Sequence, residues 1–188
     1  MSNAIITGGA GFIPSHLAEK IRDDYDKVFL IDNLMRTTGM RNIKHLLNDP
    51  KFEFIHAGIE FFDFTTLKNV SQVYHMAATR INRSQKFTKE GHLYNADGGF
   101  NVVDFCARNK IRLYFSSTAS VYQNIKRLPI KEEDVGTPHT IYGASKLYTE
   151  HLLHTYNQIM GLDFSISRFF SVYGPRMDNE GAYTEIVF

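Results

Sequence analysis

The period of apolar positions switches repeatedly along the chain. Compact apolar runs stand at residues 4–6, 27–31, 52–55, 72–75, 112–116 and 164–169. Each has the length of a strand and is too short for a buried helix. Between them lie stretches of helical character at 15–21, 40–47, 65–69, 88–109 and 141–160. In the longer ones apolar residues recur three and four apart. Gly161 is a natural stop for the last of them, and the loop before it carries Pro129, Gly136 and Pro138. Strands that alternate with helices predict an α/β fold, a doubly wound parallel sheet with helices on both faces. Ligands of such sheets sit at the carboxyl ends of the strands.

The first strand and first helix are joined by Thr7-Gly8-Gly9-Ala10-Gly11-Phe12-Ile13-Pro14. Gly8 can take the dihedral angles of a tight turn, and Gly11 has no side chain to keep a pyrophosphate from the amides that open the helix. Those unpaired N–H groups and the positive end of the helix dipole favour an anion. An ordinary β–α turn can also carry glycines. Asp32 ends the second strand about 20 residues further on, the place from which a carboxylate accepts hydrogen bonds from an adenosine ribose. An Asp-Asn pair can equally cap a turn. The glycine turn and Asp32 at this separation point to a Rossmann-type site for NAD. The carboxylate would repel the extra phosphate of NADP.

Tyr142 and Lys146 are four apart on the last predicted helix, so hydroxyl and ammonium can meet at one spot. A free tyrosine titrates near 10, and a neighbouring cation lowers that value by stabilising the phenolate. The same spacing describes an ordinary surface Tyr/Lys pair. Upstream, Ser116-Ser117-Thr118-Ala119-Ser120 follows a strand and so lies on the ligand edge. A hydroxyl there could bond a substrate oxygen, or the stretch is simply a Ser/Thr-rich turn.

Composition narrows the classes. The 188 residues, 43% hydrophobic and 22% charged, suffice for one good core. A formal net charge of +1 gives no pull toward nucleic acid or a membrane surface. No apolar run reaches the roughly 18 residues of a membrane span, and the chain enters a strand at once, so no signal peptide is expected. The one cysteine, Cys106, excludes an internal disulfide and suits a reducing, cytoplasmic compartment. It reads as core, and His75 as a residue packed at a strand end. His151 and His154 lack the companions a metal site needs, so no metal is expected.

Together these motifs resemble the extended short-chain dehydrogenase/reductase family, the NAD-dependent nucleotide-sugar epimerases and dehydratases. The resemblance runs from Ala4 to about Val187. It includes His75-Met76-Ala77-Ala78, Asn95-Ala96-Asp97-Gly98 and Arg168-Phe169-Phe170-Ser171-Val172-Tyr173-Gly174-Pro175-Arg176. It implies Thr118, Tyr142 and Lys146 as the catalytic residues: Thr118 to bind the reacting hydroxyl, Tyr142 as acid/base, Lys146 to hold the ribose and tune the tyrosine. It further implies NAD contacts at Gly8, Gly11, Phe12, Ile13, Asp32, Asn33, Ala77, Ala78, Ser116, Tyr142, Lys146 and Tyr173. Substrate contacts fall on Thr118, Ser171 and Arg176. Ala119 and Ser120 stand where the dehydratases of the family carry an Asp-Glu pair and the decarboxylases a Glu at the second position, so the loop resembles the epimerases.

Four departures stand out. Pro14 replaces the third glycine, a change that could set the helix farther from its strand. Ile59 stands where an adenine-binding Asp is frequent, Gln123 where a glycine follows Val-Tyr, and Ser171 where an Asn helps hold the sugar diphosphate. The resemblance divides the chain into an NAD-binding domain over 1–175 and, over 176–188, the start of a C-terminal substrate-binding part that is otherwise missing. It also implies a homodimer paired through the helices near 92–109 and 141–160. The function expected is that of a UDP-glucose 4-epimerase-like enzyme. The alternatives are another oxidoreductase or dehydratase of the same family, or a non-catalytic NAD-binding module.

Overall fold

The computed structural model describes residues 2–36 and 38–177. Six strands, β1 (Asn3–Thr7), β2 (Val28–Asp32), β3 (Phe52–His56), β4 (Val70–His75), β5 (Arg112–Thr118) and β6 (Phe164–Phe169), form one sheet in the order β3-β2-β1-β4-β5-β6. Every pairing is parallel, the doubly wound architecture expected from the alternating pattern. The chain runs outward to β3, then crosses back over β1 to β4. That reversal opens a crevice at the carboxyl ends of β1 and β4.

Strand side chains divide between two cores by simple alternation. Ile5, Phe29, Ile31, Val73, Leu113 and Phe115 enter one, with Val102, Cys106 and Leu153 packed over them. Ala4, Ile6, Val28 and Leu30 enter the other, with Ala18, Ile21 and Ile43. Helix α1 (Phe12–Ile21) covers this second face, with the short α2 (Gly39–Ile43) beside it. Cys106 is fully buried, and burial pushes its thiol up.

Three of the expected helices are reshaped. Residues 40–47 form α2 and a separate 3₁₀ turn, Leu46–Asn48, and 65–69 shrink to the turn Phe64–Thr66. The Asp63 carboxylate accepts from the Thr65 N–H at that turn's start. A helix that the pattern did not show, α3 (Ile81–Lys86), precedes residues 88–109, which are themselves interrupted. There α4 (Thr88–His92) passes through a π-helical turn, Leu93–Asp97, into α5 (Gly98–Asn109). The wider turn presents the Asn95 amide to Thr79, whose N–H it accepts at 2.7 Å and whose carbonyl it donates to at 3.0 Å. Helix α6 (Ile141–Met160) keeps the expected limits. The Thr140 hydroxyl accepts from the Gly143 N–H at its start, and Gly161 ends it with φ +70°.

His75 closes β4 in full burial, its ring stacked on Phe115. Thr7 Oγ1 accepts from the N–H groups of Met76 and Ala77 at 3.1 and 3.2 Å, so its own hydrogen goes to His75 Nδ1 at 2.8 Å. Burial, with Lys146 nearby, pushes the imidazole from 6.5 down to about 3. The unfolded chain therefore takes up this proton below pH 6.5 while the folded chain refuses it until about pH 3. Between those values His75 alone should cost about 1.4 kcal/mol of stability per pH unit. Urea unfolding at pH 6.5, 5.5 and 4.5 measures that slope, and His75→Asn, which keeps an acceptor toward Thr7, should flatten it.

Candidate active site

A cleft of about 750 Å³ runs across the carboxyl ends of the strands, from Asp32 and Glu60 at one end to Thr118, Tyr142 and Lys146 at the other. The glycine turn forms its floor. Gly8 has φ +69°, and a Cβ there would lie 2.8 Å from Ala77 Cα, so the turn can nest against the exit of β4 only as glycine. Gly11 caps α1, and the first rung of the helix joins the Ser15 N–H to the Gly11 carbonyl at 3.1 Å. The N–H groups of Phe12 and Ile13 precede that rung and have no partner within the helix. Pro14 occupies the third helical position, where an N–H would be unpaired in any case. The helix thus opens on N–H groups without intrahelical partners despite the missing third glycine.

Thr7 links this turn to the opposite wall, because its hydroxyl holds the Met76 and Ala77 amides. Ala77 and Ala78 consequently line the cleft. A polar residue closing an otherwise apolar strand was the available signal for this role. Asp32 caps the turn and stands on the cleft wall. Its carboxylate accepts from the Ala10 and Leu34 N–H groups at 3.2 and 2.8 Å, tying the glycine turn to the end of β2, and it also borders the cleft. Burial raises its carboxyl, and the two backbone bonds oppose that rise. Asn33 accepts from the Met35 N–H at 3.0 Å and lies beside it on the same wall.

At the far end, β5 delivers Ser116 and Thr118 to the rim. The Ser116 hydroxyl donates to the His75 carbonyl at 3.2 Å. Thr118 caps the 3₁₀ turn Ala119–Tyr122, accepting from the Ser120 N–H at 3.2 Å and donating to Ser120 Oγ at 3.3 Å. Lys146 is buried under the cleft: its Nζ donates to the Ser116 carbonyl at 2.7 Å and sits 4.7 Å from the Phe115 ring centre and 5.9 Å from that of Tyr142. Burial pushes the ammonium down to about 7, against the Glu150 charge, which raises it. Tyr142, half-buried one helical turn earlier, borders the same space. Thr118, Tyr142 and Lys146 therefore converge at one end of the cleft, opposite Asp32.

The stretch after β6 brings Ser171 and Tyr173 to the mouth, both exposed. Arg176 also reaches the rim, but its guanidinium is engaged elsewhere. It donates to both Glu19 carboxylate oxygens at 2.7 and 3.0 Å and contacts His16, fastening the segment to α1. Of the expected 176–188 part, 178–188 lie outside the described residues. Among the described residues no cluster of three or more His, Cys, Asp or Glu side chains could hold a metal, and His154 packs edge-on against Phe164.

A buried ion pair behind the site escaped the motif reading. Arg168 of β6 forks onto Glu150 of α6, with bonds of 2.7 and 3.0 Å, and Ser117 donates to the same carboxylate. Arg168 Nη1 reaches on to the carbonyls of Glu132 and Asp134 at 2.8 and 3.3 Å, in the loop before α6. An arginine inside an apolar strand was the signal.

The sequence profile of the NAD dependent epimerase/dehydratase family matches residues 4–188. The chain belongs to this family. An uncharacterized UDP-glucose epimerase of Bacillus subtilis is 33% identical over 193 residues, covering 97% of this chain and 60% of that protein. A UDP-N-acetylglucosamine 4-epimerase of Methanobrevibacter ruminantium, solved with UDP-N-acetylmuramic acid, superposes with a TM-score of 0.89 at 31% identity, covering 97% of this chain and 59% of that one. A UDP-glucuronic acid 4-epimerase of Bacillus cereus, solved with UDP-glucuronic acid and NAD, superposes with a TM-score of 0.88 at 30% identity, covering 98% and 61%. The chain thus spans about three-fifths of the length of these family members.

Proposed function

We propose that this chain is the cofactor-binding and catalytic part of an NAD-dependent nucleotide-sugar epimerase, similar to UDP-glucose 4-epimerases. The observation that carries the reading is the convergence of Thr118, Tyr142 and Lys146 at one end of a cleft whose floor is an anion-ready helix start. The cradle fits a dinucleotide. The Phe12 and Ile13 amides would take the pyrophosphate, Asp32 the adenosine ribose, and Lys146 the other ribose. When bound, NAD⁺ supplies a hydride acceptor that oxidises a sugar carbon and returns the hydride to the keto-sugar's other face. Tyr142 takes the proton from the sugar hydroxyl and later gives it back. Lys146 stabilises the phenolate while charged, and Thr118 bonds the reacting oxygen. Ala119 and Ser120 supply no carboxylate for water removal or decarboxylation, which favours epimerisation over those reactions.

The reading extends to a homodimer in the cytoplasm. Phe100 of α5 and Tyr148 and Ile159 of α6 are exposed apolar residues on two neighbouring helices, a surface suited to a second copy. Two measurements test the function. Denaturing release and mass spectrometry of the purified protein should show bound NAD, and UDP-glucose should then convert to UDP-galactose without net NADH. Net NADH would favour another oxidoreductase of the family. NAD without any turnover on a panel of nucleotide sugars would favour a binding module. NAD⁺ should also bind at least about tenfold more tightly than NADP⁺, because Asp32 would face the extra phosphate; Asp32→Asn should narrow that gap in a direct titration.

A further inference from the structure

The loop after β4 carries a cation that the reading above does not use. Arg80 is half-buried and lines the cleft. Among the described residues, no hydrogen bond, ion pair or ring contact engages its guanidinium. The other cations on the cleft wall are committed. Lys146 donates to the Ser116 carbonyl, Arg83 to Glu90 at 2.7 and 3.1 Å, and Arg176 to Glu19, while Arg36 acts on Asp32 at the opposite end. The backbone of Arg80 is fixed on both sides. Thr79 is held through its N–H and its carbonyl by the Asn95 amide, and the Arg80 carbonyl accepts from the Ser84 N–H at 2.9 Å to open α3. A Cβ on Gly91 of α4 would lie 2.7 Å from Ser84 Cβ and 3.3 Å from Ile141 Cγ2, so this wall packs against the residue before Tyr142. Tyr94, on the π-helical turn that carries Asn95, lines the same cleft, and among the described residues its hydroxyl likewise has no partner.

Strand order says which part of a substrate this wall meets. The sheet runs β4-β5-β6, so Thr118 at the end of β5 stands between Arg80, which follows β4, and Ser171, which follows β6. In a nucleotide sugar the diphosphate hangs on C1, across the ring from C4. With the C4 oxygen on Thr118 and the diphosphate leaving on the Ser171 side, the ring turns a flank toward Arg80. The C6 branch lies on such a flank, next to C4. A neutral hydroxymethyl group there would leave the guanidinium partly desolvated and without an anion. A C6 carboxylate instead accepts two parallel N–H bonds from it, with the Tyr94 hydroxyl as a further donor. We infer that Arg80 is a specificity-determining residue that selects a nucleotide-linked uronic acid, through its C6 carboxylate, over the neutral hexose. The inference rests on the epimerase reading above.

The test is calorimetric titration of the NAD⁺-loaded full chain with UDP-glucuronic acid and with UDP-glucose. The unaltered protein should bind the uronate at least about tenfold more tightly, the worth of a charge-assisted bond. Arg80→Gln should bring that ratio to near one by weakening the uronate alone, and Arg80→Lys should keep part of it. Equal affinity of the unaltered protein for the two sugars overturns this inference and leaves the epimerase reading standing. So does a ratio that Arg80→Gln does not change. An equal loss for both sugars would put the guanidinium on the diphosphate they share, and overturns it too. Binding of neither sugar overturns the inference and the epimerase reading together.

Discussion

Tyr142→Phe should lower nucleotide-sugar turnover by at least about 10²-fold, the usual worth of a positioned proton-transfer group, with NAD⁺ affinity nearly unchanged. The substitution removes one oxygen and keeps the ring. Helix α6 retains its start, because the bond that caps it runs from the Gly143 N–H to the Thr140 hydroxyl. Lys146 keeps its bond to the Ser116 carbonyl. Dinucleotide contacts at the glycine turn and at Asp32 lie at a distance from the change. Turnover and NAD⁺ titration on the same preparation separate the two effects. Turnover within a factor of a few of the unaltered protein would remove Tyr142 from the mechanism, and a parallel loss of NAD⁺ binding would make it a structural residue. Lys146→Met should behave differently, weakening NAD⁺ binding as well, since Lys146 is assigned a ribose contact besides its effect on the phenolate.

Local pattern was enough for the sheet. Residues such as Ala4, Ile5 and Ile6 are buried on both faces of a central parallel strand, so they appear as an unbroken apolar run. The last helix was legible because Thr140 and Gly161 mark its ends with ordinary capping chemistry. Residues 88–109 were misread as one helix because the interruption comes from outside it. Asn95 turns to Thr79, and a Cβ on Gly99 would lie 2.8 Å from Thr149 Oγ1 of α6. Neither partner is near in sequence. The same reason hid the Glu150–Arg168 pair and the Thr7–His75 bond, whose members are 18 and 68 residues apart. Asp32 shows a different limit. The turn cap is seen in the bonds that its two oxygens accept from the Ala10 and Leu34 N–H groups, while the ribose contact needs a ligand that no sequence pattern or backbone bond supplies.

Arg168→Ala should destabilise the fold by about 3–5 kcal/mol, because it leaves the buried Glu150 carboxylate with the Ser117 hydroxyl in place of the guanidinium fork as its hydrogen-bond donor. The side chains of Glu150 and Arg168 are 4% and 16% exposed, so little water can take the place of the guanidinium. For a chain of this size such a loss lowers the melting temperature by roughly 6–20 °C. Arg168→Lys should recover only part of it, since an ammonium restores charge but not the planar fork that serves Glu150 and the two loop carbonyls together. A melting temperature for Arg168→Ala within a degree or two of the unaltered protein would show that the pair holds nothing. Glu150→Gln asks a second question of the same network. Glu150 lies one turn beyond Lys146 on α6 and its charge opposes the burial that brings the ammonium down to about 7. Without that charge Lys146 should lose its proton at lower pH, so the upper limb of the pH–rate profile should move toward acid. A profile that keeps its position while the melting temperature falls would confine Glu150 to the fold. If the limb moves, one buried carboxylate both fastens β6 to α6 and keeps the cation beside Tyr142 charged.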